Sequence, residues 1–117
     1  MKWNDQQHLV LESEEVELLL WSVPNEVTNG FAIKDFEKTI GISKERATNL
    51  FKDLRDKPKG DRITLDRHQA LIFHNALAAV LEELGVEEFQ TRTGCDFEAG
   101  HTMLRELSHF LQQTGPS

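Results

Sequence analysis

The strongest constraint on this chain is that it reads as one pattern used twice. Ile33 to Leu54, IKDFEKTIGISKERATNLFKDL, spells a short helix, a tight turn at Gly41 and a longer helix. Val86 to Leu107, VEEFQTRTGCDFEAGHTMLREL, repeats it. Phe36 answers to Phe89, Gly41 to Gly94, Glu45 to Glu98 and Leu54 to Leu107, all at a spacing of 53. Upstream, Leu9 to Leu11 and Ile63 to Leu65 are β-prone runs 54 residues apart. One copy, roughly 50 residues, lies near the lower limit for an independent core. Two copies are expected to close on each other, as a homodimer fused into one chain would. The expected fold class is mainly α, or α+β if the two runs pair as short strands. It comprises two tandem strand–helix–short helix–helix repeats, 8–58 and 62–112, packed with pseudo-two-fold symmetry in a single domain, 1–117.

Taken in order, residues 1–7 read as a polar leader that frays. Ser13, with Glu14 and Glu15 behind it, reads as a capped helix start. Val16, Leu19, Leu20 and Val23 fall at helical spacing, and Leu18 and Trp21 widen that stripe into a core face. Pro24 is expected to end this helix, because the residue before a proline is pushed out of the helical region. Asn25 to Gly30 then reads as a loop. Ile33, Phe36 and Ile40 mark the short helix, Gly41 its stop and Ser43 the next cap. Ala47, Leu50, Phe51 and Leu54 are the buried face that follows. Lys57 to Asp61 is the clearest linker. Asp66 and Gln69 have the spacing of a capping box, opening a helix closed by Gly85. Gly94 turns the chain and Asp96 replaces Ser43 as the cap. The last stripe is Met103, Leu104, Leu107 and Leu111, with Phe110 flanking it, before a loose tail at Thr114 to Ser117.

No apolar run approaches the ~20 residues that a membrane helix needs. The opening MKWNDQQH lacks a signal-peptide core. No membrane association and a cytoplasmic location are therefore expected. A single cysteine, Cys95, allows no internal disulfide and suits a reducing compartment. The net charge of −7 opposes general nucleic-acid binding. It is unevenly spread, however. Phe31 to Arg62 holds nine Lys/Arg against six Asp/Glu, and the remainder holds four against fourteen.

The segment from Phe36 through Gly41 and Ser43 to Ala47 and Leu50 is similar to the helix-turn-helix motif of bacterial regulators. That resemblance implies that Lys44, Arg46, Thr48, Asn49, Lys52 and Arg55 face DNA, with Lys57, Lys59 and Arg62 adding phosphate contacts. Glu37 departs from the motif, which wants a small residue where the helices approach, and the second copy has Gln90 there. The outward residues of that copy, Glu98, His101, Thr102 and Glu106 among them, are not basic.

Other chemistry is weakly signalled. Cys95 stands at a helix start, where the dipole can activate a thiol, but it occupies the place of Ile42 and is expected to pack as a small apolar group. His8, His68, His74, His101 and His109 show no metal-ligand spacing on one helix face. The acidic pairs Glu14–Glu15, Glu82–Glu83 and Glu87–Glu88 read as solvated helix ends. Trp3 either packs back on the domain or meets a partner.

Glu88-Phe89-Gln90-Thr91-Arg92-Thr93-Gly94, followed by a helix, resembles small uncharacterised bacterial proteins over Ile63 to Leu111. That resemblance implies a compact bacterial domain and brings no activity. Arg92, inside that motif, is open to two roles: pairing with an acidic helix end between the halves, or binding an anionic partner. The function expected is a non-enzymatic, cofactor-free protein–protein interaction module that binds another protein or itself. The alternative is a helix-turn-helix DNA-binding regulator.

Overall fold

The computed structural model describes residues 1–3, 8–30, 32–58 and 62–113. It is mainly helical, with a small antiparallel sheet of three two-residue strands. The strands are β1 (Lys2–Trp3), β2 (Leu9–Val10) and β3 (Thr64–Leu65), in the order β1-β2-β3. The expected pairing of the two β-prone runs is present: Leu9 opposes Leu65, Val10 opposes Thr64, and the Leu11 amide donates to the Ile63 carbonyl at 3.0 Å. Alternation sends Leu9, Leu11, Ile63 and Leu65 into the core together. The leader departs from expectation. Lys2 and Trp3 pair with Val10 and Leu9, giving the outer edge of β2 a partner.

Helix α1 covers residues 13–30 as alternating α and π turns: Ser13–Val16, Glu17–Ser22, Val23–Asn25 and Glu26–Gly30. Three expectations fail here. Ser13 is the first helical residue rather than the cap; Glu12 holds the cap position, and the Glu15 Oε1 accepts from its amide at 2.8 Å. Pro24 does not end the helix, and Val23 before it keeps helical angles of φ −63° and ψ −48°. A proline normally loses a bond and strikes the carbonyl four residues back. A π turn immediately upstream shifts those carbonyls and removes the conflict. Asn25–Gly30, expected as a loop, is therefore helical.

Helix α2 (Phe36–Ile40) stops at Gly41, whose φ of +109° is open to glycine. Helix α3 (Lys44–Arg55) is capped by Ser43, whose Oγ accepts from the Arg46 amide at 3.3 Å. Helix α4 (Arg67–Thr93) opens on the expected capping box, with both Asp66–Gln69 bonds formed. Gly85 interrupts it, at φ +70° and ψ −174°, and the chain then resumes a helix to Thr93. Helix α5 (Phe97–Gln113) follows Gly94 and buries Gly100, Met103, Leu107 and Phe110. Its stripe is thus rotated from the expected one, with Phe110 inside and Leu104 and Leu111 only half-buried. Gly100 permits this: a Cβ there would lie 2.8 Å from the Phe89 ring. The core joins all of these elements, with the Phe51 and Phe73 rings 5.3 Å apart where α3 meets α4. The two roles expected of the Trp3 side chain, the close of the linker at Lys59 to Asp61 and the tail at Thr114 to Ser117 lie outside the described residues.

An ion pair with a buried carboxylate and a partly exposed arginine locks the end of α1 to the end of α4. Glu26 is 4% exposed, and its Oε2 lies 2.8 Å from the Arg92 Nη2. That contact is off the hydrogen-bond axis and is Coulombic. The Arg92 Nε donates to Oε1 at 3.3 Å, and Nη2 donates to the Gly30 carbonyl at 3.3 Å. Gly30 leaves room for this, since a Cβ there would overlap Glu26 Oε2. Of the two roles open to Arg92, the geometry has the pairing with an acidic residue of the other half. Removing one partner strands a buried charge, whereas replacing both by apolar groups need not destabilise. Arg92→Met should lower the unfolding free energy by ~2–3 kcal/mol, discounted for an arginine that is one-third exposed. Glu26→Val with Arg92→Met should recover most of that loss in urea melts.

Candidate functional site: a tryptophan beside a basic groove

Leu18, Leu19 and Leu20 occupy three successive inward positions of α1. The next residue is thereby carried past the core. Trp21, expected to complete the core face, instead stands 52% exposed. The Arg55 guanidinium, from the last turn of α3, lies over its ring at 5.3 Å from the centroid. Such a cation–π contact at an exposed site contributes on the order of 0.5–1 kcal/mol and holds both groups in place.

A cavity of about 640 Å³ opens beside Trp21. Its lining is mostly apolar, with Leu11, Val16, Leu20, Leu54, Pro58 and Ile63, and also holds Ser13, Arg55, Lys57 and Arg62. No salt bridge to these three cations is present among the described residues. A second cavity of about 630 Å³ also reaches Trp21 and is lined by Ser22, Asn25, Lys52, Arg55, Asp56 and Arg92. Two of its three cations are already paired. Lys52 Nζ donates to Asp56 Oδ2 at 2.6 Å, and that bond raises the lysine pKa; Arg92 is held by Glu26. The first cavity is therefore the one whose three cations, set beside six apolar residues, have no salt bridge among the described residues.

The six residues placed on DNA by the helix-turn-helix resemblance separate into two groups. Lys44, Arg46, Thr48 and Asn49 are exposed on the first half of α3. The Thr48 hydroxyl donates to the Lys44 carbonyl at 2.8 Å, so it serves its own helix. Lys52 and Arg55, at the other end, are engaged by Asp56 and Trp21. Helix α2 packs on α4, and Glu37 is exposed. Lys57 and Arg62, read as accessory phosphate contacts, join the Trp21 groove instead.

Elsewhere, Cys95 is half-buried against the core. Burial, with the Asp96 carboxylate beside it, pushes the thiol above its ordinary pKa, the reverse of activation. His101 stacks edge-on against Phe97, 4.6 Å between ring centres. Among the described residues no three His, Cys, Asp or Glu side chains gather as a metal site. Glu15 corrects the reading of its pair as a solvated helix end: it is buried, and its Oε2 accepts from the Met1 amine at 2.8 Å.

One cluster had no sequence signal beyond a histidine–asparagine pair. His74 Nε2 lies 2.9 Å from Ser108 Oγ, and its Nδ1 lies 3.2 Å from Asn75 Oδ1, whose amide donates to the Ile40 carbonyl at 3.0 Å. The order of groups is that of a nucleophile, a base and an orienting residue. Ser108, however, is inside α5, where the amides that an oxyanion would need are bonded within the helix. The cluster ties α2, α4 and α5 together.

No family model matches the chain, and no curated protein or solved structure matches it. Among the described residues no helix is long and apolar enough to cross a membrane. The functional reading rests on the geometry above. The raised thiol carries its own check. Alkylation of Cys95 by iodoacetamide should rise with pH along a curve displaced above that of an unstructured cysteine peptide, near ~8.5. A curve displaced below it would mark an activated thiol.

Proposed function

We propose that the chain is a non-enzymatic interaction module whose binding face is the Trp21 groove. The observation that carries this is an aromatic side chain left 52% exposed at a cavity lined by six apolar residues and by Arg55, Lys57 and Arg62. Tryptophan and arginine dominate the energetics of protein interfaces because they combine large apolar area with a polar handle. The apolar part of the lining supports a protein or peptide ligand over a phosphate backbone, which would need cations alone.

The scaffold reading that accompanies this is a duplicated unit closed on itself. Residues 13–30 and 67–84 are helical spans of equal length at a spacing of 54. Gly41 and Gly94 both have positive φ, and Ser43 and Asp96 stand at the same place before the following helices. Val10 and Thr64, the central pair of the ladder, are themselves 54 residues apart. Ile42 is buried and Cys95 half-buried, both against the core. A reducing, cytoplasmic setting is the location that the lone cysteine supports.

A second reading, DNA binding through Lys44, Arg46, Thr48 and Asn49, is favoured only by their shared exposure on α3. A displayed random-peptide library selected on the folded protein tests the first reading. Trp21→Ala, with its fold checked by circular dichroism, should weaken the selected peptides at least tenfold, or ~1.4 kcal/mol. Peptides indifferent to Trp21→Ala would remove the groove from the account. A gel shift at low salt that disappears in Lys44→Ala/Arg46→Ala would put the second reading in its place.

A further inference from the structure

A feature of opposite character lies elsewhere on the same molecule. Gly85 breaks α4 with φ +70°, and nothing lies within 4 Å of where its Cβ would be. Val86, the next residue, is 60% exposed, more than the other large apolar side chains of the described residues. Glu82, Glu83, Glu87 and Glu88 bracket it, all exposed. No salt bridge to these four carboxylates is present among the described residues. Ile33, 53 positions earlier, packs against the core, so the same place in the first half is covered and this one is not.

The two surfaces are complementary. The groove combines six apolar residues with three cations, and the elbow offers an exposed apolar side chain with four exposed carboxylates within four residues of it in sequence. We propose that the Trp21 groove receives the Gly85 elbow of a second copy of this chain. Val86 then meets the apolar residues of the groove while the flanking glutamates meet Arg55, Lys57 and Arg62. This rests on the groove being the binding face. Each chain carries both surfaces, so two chains docking reciprocally would form the contact twice. One elbow in one groove buries well below the ~1,600 Å² of a standard stable interface. The association is therefore weak, dependent on concentration and weakened by salt.

Sedimentation equilibrium on the full chain tests this. The mass should rise above the 13.4 kDa of one chain as concentration increases and fall back with added salt. A groove variant, Lys57→Glu/Arg62→Glu, and an elbow variant, Glu87→Lys/Glu88→Lys, should each associate at least tenfold more weakly. Mixing the two should restore association, because the reversed groove now meets the reversed elbow and the native elbow meets the native groove. All four positions are exposed, and far-UV circular dichroism checks that each variant is folded. A chain that stays at one mass throughout, variants that associate like the parent, or a mixture that fails to associate would each overturn the proposal. Trp21 fluorescence in a Trp3→Phe background separates this from the broader reading. A monomeric chain whose Trp21 responds to a synthetic peptide bearing valine between glutamate pairs keeps the groove and loses the second copy as its occupant. No response and no association would remove both.

Discussion

Residues 9, 10 and 11 hold residues 65, 64 and 63 through the backbone, and most of the molecule hangs on that ladder. It is too short to stand alone, since a two-stranded ribbon is marginal in water. What stabilises it is the set of side chains it sends inward. Leu9 and Leu65 are fully buried, and each such leucine contributes on the order of 1.5–3 kcal/mol when removed from water. In return the ladder sets where α1 and α4 begin, because each strand runs into its helix within three residues. The Glu26–Arg92 pair then fastens the far end of α1 to the last turns of α4. The two long helices are thus tied at both ends, once by backbone bonds and once by charge.

That arrangement explains which parts of the chain were legible in its sequence. Local signals read correctly where the physics was local. Ser43 capped α3, Asp66 and Gln69 formed their box, and Gly41 and Gly94 took the left-handed conformation. The pairing of the two β-prone runs was legible because their apolar residues had to share one face. Pro24 misled, because the pre-proline preference is weak enough for the fold to override, as the helical angles of Val23 show, and the π turn upstream eases the separate clash between the ring and the carbonyl four residues back. Trp21 misled for a related reason. Three leucines before it already fill the inward arc, and no periodicity rule ranks a tryptophan below them. Strand β1 was invisible because two polar-flanked residues carry no pattern of their own.

The candidate site was legible only in parts. Lys52, Arg55, Lys57 and Arg62 stood out as charges in a basic stretch, but their partners did not. The fold spends Lys52 on Asp56 and turns Arg55 onto Trp21, leaving a groove rather than a row of outward cations. A helix-turn-helix reading takes charges along one helix. The groove takes them from α3 and from the segments on either side of 59–61, together with an aromatic from α1, and only tertiary structure brings those together.

The central claim is that neither half holds a core of its own. Separating the chain into 1–58 and 62–117 tests it most directly, by far-UV circular dichroism and thermal melting of each piece and of the mixture. The account predicts that each piece alone is largely unfolded and melts without a transition, and that mixing them recovers native helix content and a cooperative melt as a one-to-one complex. A piece that folds alone as a monomer, with its full helix content and its own sharp transition, would contradict it.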